Sequence, residues 1–226
     1  MITIDEITIV VDGREIIYDY SEQIPAGSIT VIVGPNGCGK STLLAAIAGD
    51  IAPDKGTITI DEHHPILTSA NTLAGMRSMV IQNQSFTLGF TVREIVEMGG
   101  DSTEVLQALG LAEIADRLVT TLSGGEAQRV AIAQAIAQKT PVLLLDEPFA
   151  GVDPISVGDI RHLVADLKKR GIGVLITDHN VRETLEIVDR AYILHDGKVL
   201  MSGTPNDVVQ NENVRRVYLG ADFRIS

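Results

Sequence analysis

The residues with the clearest chemistry are Gly34-Pro35-Asn36-Gly37-Cys38-Gly39-Lys40-Ser41, followed by Thr42. They match the spacing G-x-x-x-x-G-K-[ST], whose glycines let the backbone curl until its N–H groups point inward at phosphate oxygens. Lys40 adds a cation beside the β and γ phosphates, and Ser41 offers a hydroxyl to Mg²⁺. A helix after the loop turns its positive end toward the same anion. Cys38 sits inside the loop, and its position alone gives it no redox role. Farther along, the apolar run Val142-Leu143-Leu144-Leu145 delivers Asp146-Glu147. A buried strand ending in carboxylates is the second half of such a site: Asp146 is expected to hold Mg²⁺, directly or through water, and Glu147 to polarise the attacking water.

The elements that must position these groups are legible from periodicity. Ile2, Ile4, Ile7 and Ile9 alternate through Met1–Val11 and read as a strand. Val31-Ile32-Val33 is a short β-branched strand before the loop, and Ser41–Gly49 is composed of helix formers. Gly56–Asp61 returns to strand. Thr91 is placed to cap a helix starting at Val92, and helical spacing recurs at Val105–Leu111 and Ile114–Leu118. An Ala-rich helix covers Glu126–Gln138, a second helix runs from about Pro154 to Arg170, and a third covers Val181–Val188. Gly173–Ile176 and Ala191–Leu194 read as strands, and Asp196-Gly197 as a hairpin turn into Lys198–Met201, with helix onward to Leu219. Strands alternating with helices argue for an α/β fold with a mainly parallel sheet.

Composition limits the alternatives. The 226 residues carry a formal net charge of −12 and one cysteine. An acidic surface repels nucleic acid at long range, so no nucleic-acid partner is expected, and one thiol makes no disulfide framework. No stretch approaches the roughly 20 apolar residues that span a bilayer. The N-terminus lacks the basic start and cleavage site of a signal peptide. Membrane work would therefore need another chain.

Leu122-Ser123-Gly124-Gly125-Glu126-Ala127-Gln128-Arg129 narrows the class, because it resembles the LSGGQ signature of ABC ATPases, with Glu126 in the usual Gln position. Gln82, favoured over Gln84, sits where that family has its Q-loop glutamine. Ala150-Gly151-Val152-Asp153 resembles the D-loop, and His179 in Thr177-Asp178-His179 resembles the switch histidine that reads the γ-phosphate. His63, His64, His162 and His195 have no such context. The resemblance implies a P-loop NTPase of the ABC ATPase type: a RecA-like core, a mixed β subdomain, and a short helical subdomain at about 84–122. It implies ATP held by residues 34–42 and Mg²⁺ held by Ser41, Gln82 and Asp146. Glu147, His179 and Gln82 would act in catalysis. Ser123, Gly124, Gly125 and Glu126 would serve the site of a second copy, with Asp153 at the dimer interface. A homodimer across two ATPs would drive a membrane-spanning subunit from the cytoplasmic face of the membrane.

Departures from the pattern are also informative. The family stacks adenine on an aromatic residue before the first hairpin turn, and here that position is Val11. Leu122 lies only 40 positions after Gln82, fewer than in many transporter ATPases, so a helix of the usual set is expected to be missing or trimmed. The first half, through about Leu145, is similar to ATPases of metal-chelate and small-molecule transporters. Asp146 through Val157, Leu175 through Thr184 and the tail Arg216–Arg224 look like the ATPase of lipopolysaccharide-export transporters. That mismatch reads as a recombined or engineered chimera joined between about Ile136 and Phe149, with a natural divergent member as the other reading.

Overall fold

The computed structural model describes residues 1–82 and 86–216, with all their side chains except those of Ile155, Arg182 and Glu183. In chain order the elements are β1 (Ile2–Val11), β2 (Arg14–Ile24), β3 (Ile29–Val33), α1 (Lys40–Ala48), β4 (Lys55–Ile60), α2 (Ala70–Met76) and β5 (Arg77–Val80). Then come α3 (Val92–Glu97), α4 (Thr103–Ala108), α5 (Gly124–Ala137), β6 (Val142–Asp146), α6 (Pro154–Lys169) and β7 (Gly173–Asp178). The chain continues through α7 (Val181–Leu185), β8 (Arg190–His195), β9 (Lys198–Gly203), α8 (Pro205–Gln210) and α9 (Glu212–Val214).

β1 shows how local backbone serves burial. Strict alternation would send Ile4 and Ile7 to opposite faces. Both are buried, because the pairing of β1 with β2 shifts register between them and Glu6 adopts a φ of +46°. This bulge returns Ile7 and Ile9 to the core face. The result is a three-stranded antiparallel sheet in the order β2-β1-β4.

The second sheet has the order β5-β6-β7-β3-β8-β9, parallel throughout except for β9, which the Asp196-Gly197 turn brings back antiparallel to β8. Its central strands are buried on both faces, which is why they are continuous apolar runs. Alternate residues feed two cores. Val31, Leu143, Leu145 and Ile176 face the cluster built with α5, α6 and the small helical region. Ile32, Leu144 and Leu175 face the cluster built with α1 and the three-stranded sheet.

In the helical region, α3 carries the expected Thr91 cap as a full capping box with Glu94. Two expectations there are corrected. Ile114–Leu118 is not a helix: only a 3₁₀ turn, Ala112–Ile114, forms, since Ala115 O and Arg117 O accept from Arg93 N and Val92 N and Leu118 bridges to Thr91, which takes this segment's backbone groups away from a helix. Residues 105–111 are helical only as α4, which ends at Ala108. Likewise α7 stops at Leu185, short of Val188. α2 and β5 carry no expectation in the sequence reading. The expected C-terminal helix is two short pieces broken at Asn211, whose side chain caps the second; Val217–Leu219 lie outside the described residues, as does Gln84.

Candidate functional site

The six-stranded sheet brings the chemistry together. β6, β7 and β3 are neighbours and run parallel, so their carboxyl ends open on one side. Asp146 ends β6, Asp178 ends β7, and the glycine loop follows β3. In open α/β sheets, ligands bind in the crevice outside these strand ends.

A cavity of about 310 Å³ lies there, lined by Ile16, Asn36, Gly37, Gly39, Lys40, Ser41, Thr42, Gln82 and Glu147. The loop has the conformation its composition allows. Gly39 adopts a φ of +105°, and a Cβ there would strike Ile17 Cδ1 at 2.7 Å. It precedes α1 without a side-chain cap, which leaves first-turn N–H groups open to an anion. Cys38 is buried beneath the loop, its Sγ 2.6 Å from where a Gly34 Cβ would stand, and burial pushes its thiol pKa up. It is a packing residue and takes no place in the cavity lining.

Lys40 is only 4% exposed. Its Nζ donates to Gly34 O at 3.1 Å and to Pro35 O at 3.2 Å, and lies 3.4 Å from Glu147 Oε1. The other Glu147 oxygen, Oε2, accepts from Gln82 Nε2 at 2.9 Å and meets His179 Nδ1 at 3.2 Å. Glu147 thus gathers Lys40, Gln82 and His179 around one buried carboxylate. Its backbone is held in the left-handed region, φ +47°, by its N–H donating to Thr177 O at 2.9 Å. A non-glycine residue there costs on the order of 1–3 kcal/mol, a cost that clusters at functional sites.

Ser41 Oγ donates to Asp146 Oδ1 at 3.1 Å, and Thr177 Oγ1 donates to the same oxygen at 2.5 Å. A hydroxyl and a carboxylate at this spacing are the hard oxygen donors that Mg²⁺ takes. Gln82, the third residue expected at the metal, points its amide nitrogen at Glu147 instead.

The signature residues stand apart from this cavity. Ser123 accepts from Glu126 N at 3.3 Å, and Glu126 Oε2 accepts from Ser123 N at 2.8 Å, a capping box that starts α5 at Gly124, two residues earlier than expected. The Ser123 N–H holds the Glu126 carboxyl below its ordinary pKa, helped by Arg117 at 3.1 Å. A Cβ on Gly125 would come within 2.4 Å of Ser156 Oγ and 3.0 Å of Asp153 Oδ2. Signature turn and D-loop are therefore packed together within one chain.

Sequence reasoning missed Thr177, which ties Asp146 to Glu147, and Asp178, buried behind His179. Their place at the end of a buried strand beside a singled-out histidine was the available signal. Ile16 was also missed. It is the apolar wall of the cavity, whereas Val11 is 38% exposed at the strand end.

Residues 17–150 match the family model of the ABC transporter, and residues 198–224 match that of the branched-chain amino acid ATP-binding cassette transporter. The lipopolysaccharide export system ATP-binding protein LptB of Haemophilus influenzae is 41% identical, over 94% of this chain and 94% of its own. Among solved structures, a nucleotide-free ATP-binding cassette from an ABC transporter has a TM-score of 0.87 at 25% identity, covering 97% of this chain and 99% of that one. A dimeric cassette in a post-hydrolysis state, bound to ADP and Pi, has a TM-score of 0.79 at 26% identity, covering 91% and 99%.

Proposed function

We propose, on the premise that this chain belongs to the ABC transporter ATPase family, that it works as one of two identical ATP-hydrolysing subunits driving a membrane-spanning partner. The observation that carries the mechanism is the set of three contacts on Glu147. This carboxylate stands where a γ-phosphate would claim the same partners, Lys40, Gln82 and His179. ATP entering the cavity takes Lys40 from Glu147 and sets its phosphates against the N–H groups at Gly37–Thr42. Ser41 and Asp146 would hold Mg²⁺, with Gln82 joining once released from Glu147. When bound, the ion neutralises charge on the β and γ phosphates. Glu147, freed of Lys40, orients and polarises the attacking water. His179 donates to the γ-phosphate.

The other half of the site comes from the second copy. Ser123, Gly124, Gly125 and Glu126 open the 14-residue α5, whose positive end suits a phosphate, and they are absent from the cavity of their own chain. Asp153, packed against Gly125, lies at the proposed interface. The dimeric ADP-and-Pi-bound neighbour supports a dimer as the working unit. Among the described residues no helix is long and apolar enough to cross a membrane. Membership of the transporter ATPase family supports a pair held at the cytoplasmic face by the membrane subunit. An export-type partner is favoured by the Haemophilus relative. That relative spans both halves of the chain, which supports one origin over a join between Ile136 and Phe149.

Sedimentation of Glu147→Gln tests the shared site. A dimer with Mg-ATP and a monomer without it are expected. A variant that binds ATP yet remains a monomer would sink the head-to-tail arrangement.

A further inference from the structure

Once Glu147 turns to the water, His179 loses the acceptor of its Nδ1, and a switch histidine with a free Nδ1 no longer has a fixed ring orientation. A second carboxylate stands behind it. Asp178 is 1% exposed, and its Oδ1 accepts from Asn180 N at 2.7 Å and lies 3.6 Å from His179 Nδ1. That gap is beyond hydrogen-bond reach. Its Oδ2 is buried and has no hydrogen-bond partner among the described residues. Unsatisfied buried polar atoms call for a reason, since each costs the desolvation of the group.

We propose that Asp178 is a positioning residue for hydrolysis: it accepts a hydrogen bond from the Nδ1–H of His179 when ATP displaces Glu147, and so keeps the opposite ring nitrogen aimed at the γ-phosphate. The inference rests on the reading of His179 given above. Asp178 is anchored where the handover needs it, at the rigid end of β7 and adjacent to the histidine in sequence. His179 itself is 46% exposed and able to turn. The groups facing the pair are Glu147 from the end of β6, Lys40 from α1 and Gln82 after β5 through their contacts with Glu147, and the N–H groups of His179 and Asn180. Burial, with the Glu147 charge adding to it, outweighs the two N–H groups and the His179 ring and pushes Asp178 up to about 6, making it a more basic acceptor than an exposed aspartate. With an anion on each side, γ-phosphate and Asp178, the ring carries both protons. An isolated aspartate at a strand end would need none of this.

The test is ¹⁵N spectroscopy of the histidines in the full chain at neutral pH, with and without the β,γ-imido analogue of ATP and Mg²⁺, beside Asp178→Asn. On adding the analogue, His179 should become doubly protonated in the wild type and a single Nε2–H tautomer in the variant. The variant should also lose about tenfold or more in kcat with less than a twofold change in KM for ATP. A neutral wild-type ring in the bound state overturns the proposal without recourse to the variant, and so does a variant ring that is still doubly protonated. A His179 signal that ignores the analogue overturns the reading of His179 itself as well.

Discussion

Replacing Glu147 by Gln in the nucleotide-free chain removes the one carboxylate that Lys40, Gln82 and His179 share. Lys40 and Glu147 are 4% and 9% exposed and 3.4 Å apart. At that distance direct attraction is about 5 kcal/mol for an effective dielectric of about 20, and losing one partner of a buried pair commonly costs about 3–5 kcal/mol. The glutamine amide keeps one acceptor oxygen for the three donors, and Lys40 retains Gly34 O and Pro35 O. The loss should therefore fall lower, at about 2 kcal/mol. For a domain of this size that is a fall in Tm of about 4–8 °C. The bound state does not share the loss, because a phosphate replaces the carboxylate beside Lys40. The same energy must then appear as affinity, about thirtyfold tighter binding. Thermal unfolding of the apo chain and a titration with the imido analogue of ATP measure the two legs. An unchanged Tm together with an unchanged Kd would show that Glu147 does not latch the empty site.

Val11→Tyr places a ring at the exposed strand end before the Asp12-Gly13 turn and should tighten ATP binding about fivefold, on the order of 1 kcal/mol of stacking, in the same titration. Gly99→Ala would set a Cβ 2.0 Å from the α5 carbonyl of Gln134, so α3 and α5 must part. About 3 kcal/mol should be lost, whereas Gly75→Ala in α2, with open space around it, should stabilise by about 1 kcal/mol; paired melts decide. Asp178 carries a pKa raised to about 6, so the folded chain holds its proton where the unfolded chain has released it. That contribution favours folding below about pH 4 and is lost as pH climbs toward 6, by about 3 kcal/mol. Asp178→Asn should therefore be more stable than the wild type at pH 8 and equal to it near pH 4; a variant less stable at pH 8 contradicts the unsatisfied burial of Asp178.

The sheet was readable because its strands are buried on both faces: Val142–Leu145 and Val31–Val33 can be little else. The caps at Thr91 and Ser123 follow from hydroxyls three residues ahead of Glu94 and Glu126. β5 was not readable, since Arg77 and Ser78 interrupt a four-residue edge strand that exists by pairing with β6. The bulge at Glu6 was hidden for the same reason: tertiary burial of Ile7, not local propensity, selects it. Lys40, Ser41, Asp146 and Glu147 could be placed by motif, but the Glu147 contacts with Gln82 and His179 bridge 65 and 32 residues of chain, and only the folded sheet aligns them.

Hydrolysis by a site shared between two copies is tested most directly by the ATPase rate of the purified chain across protein concentration. The rate per chain should rise with concentration toward a plateau and collapse in Glu147→Gln. A rate per chain that is constant down to the lowest concentration, or one that survives the substitution, would contradict the account.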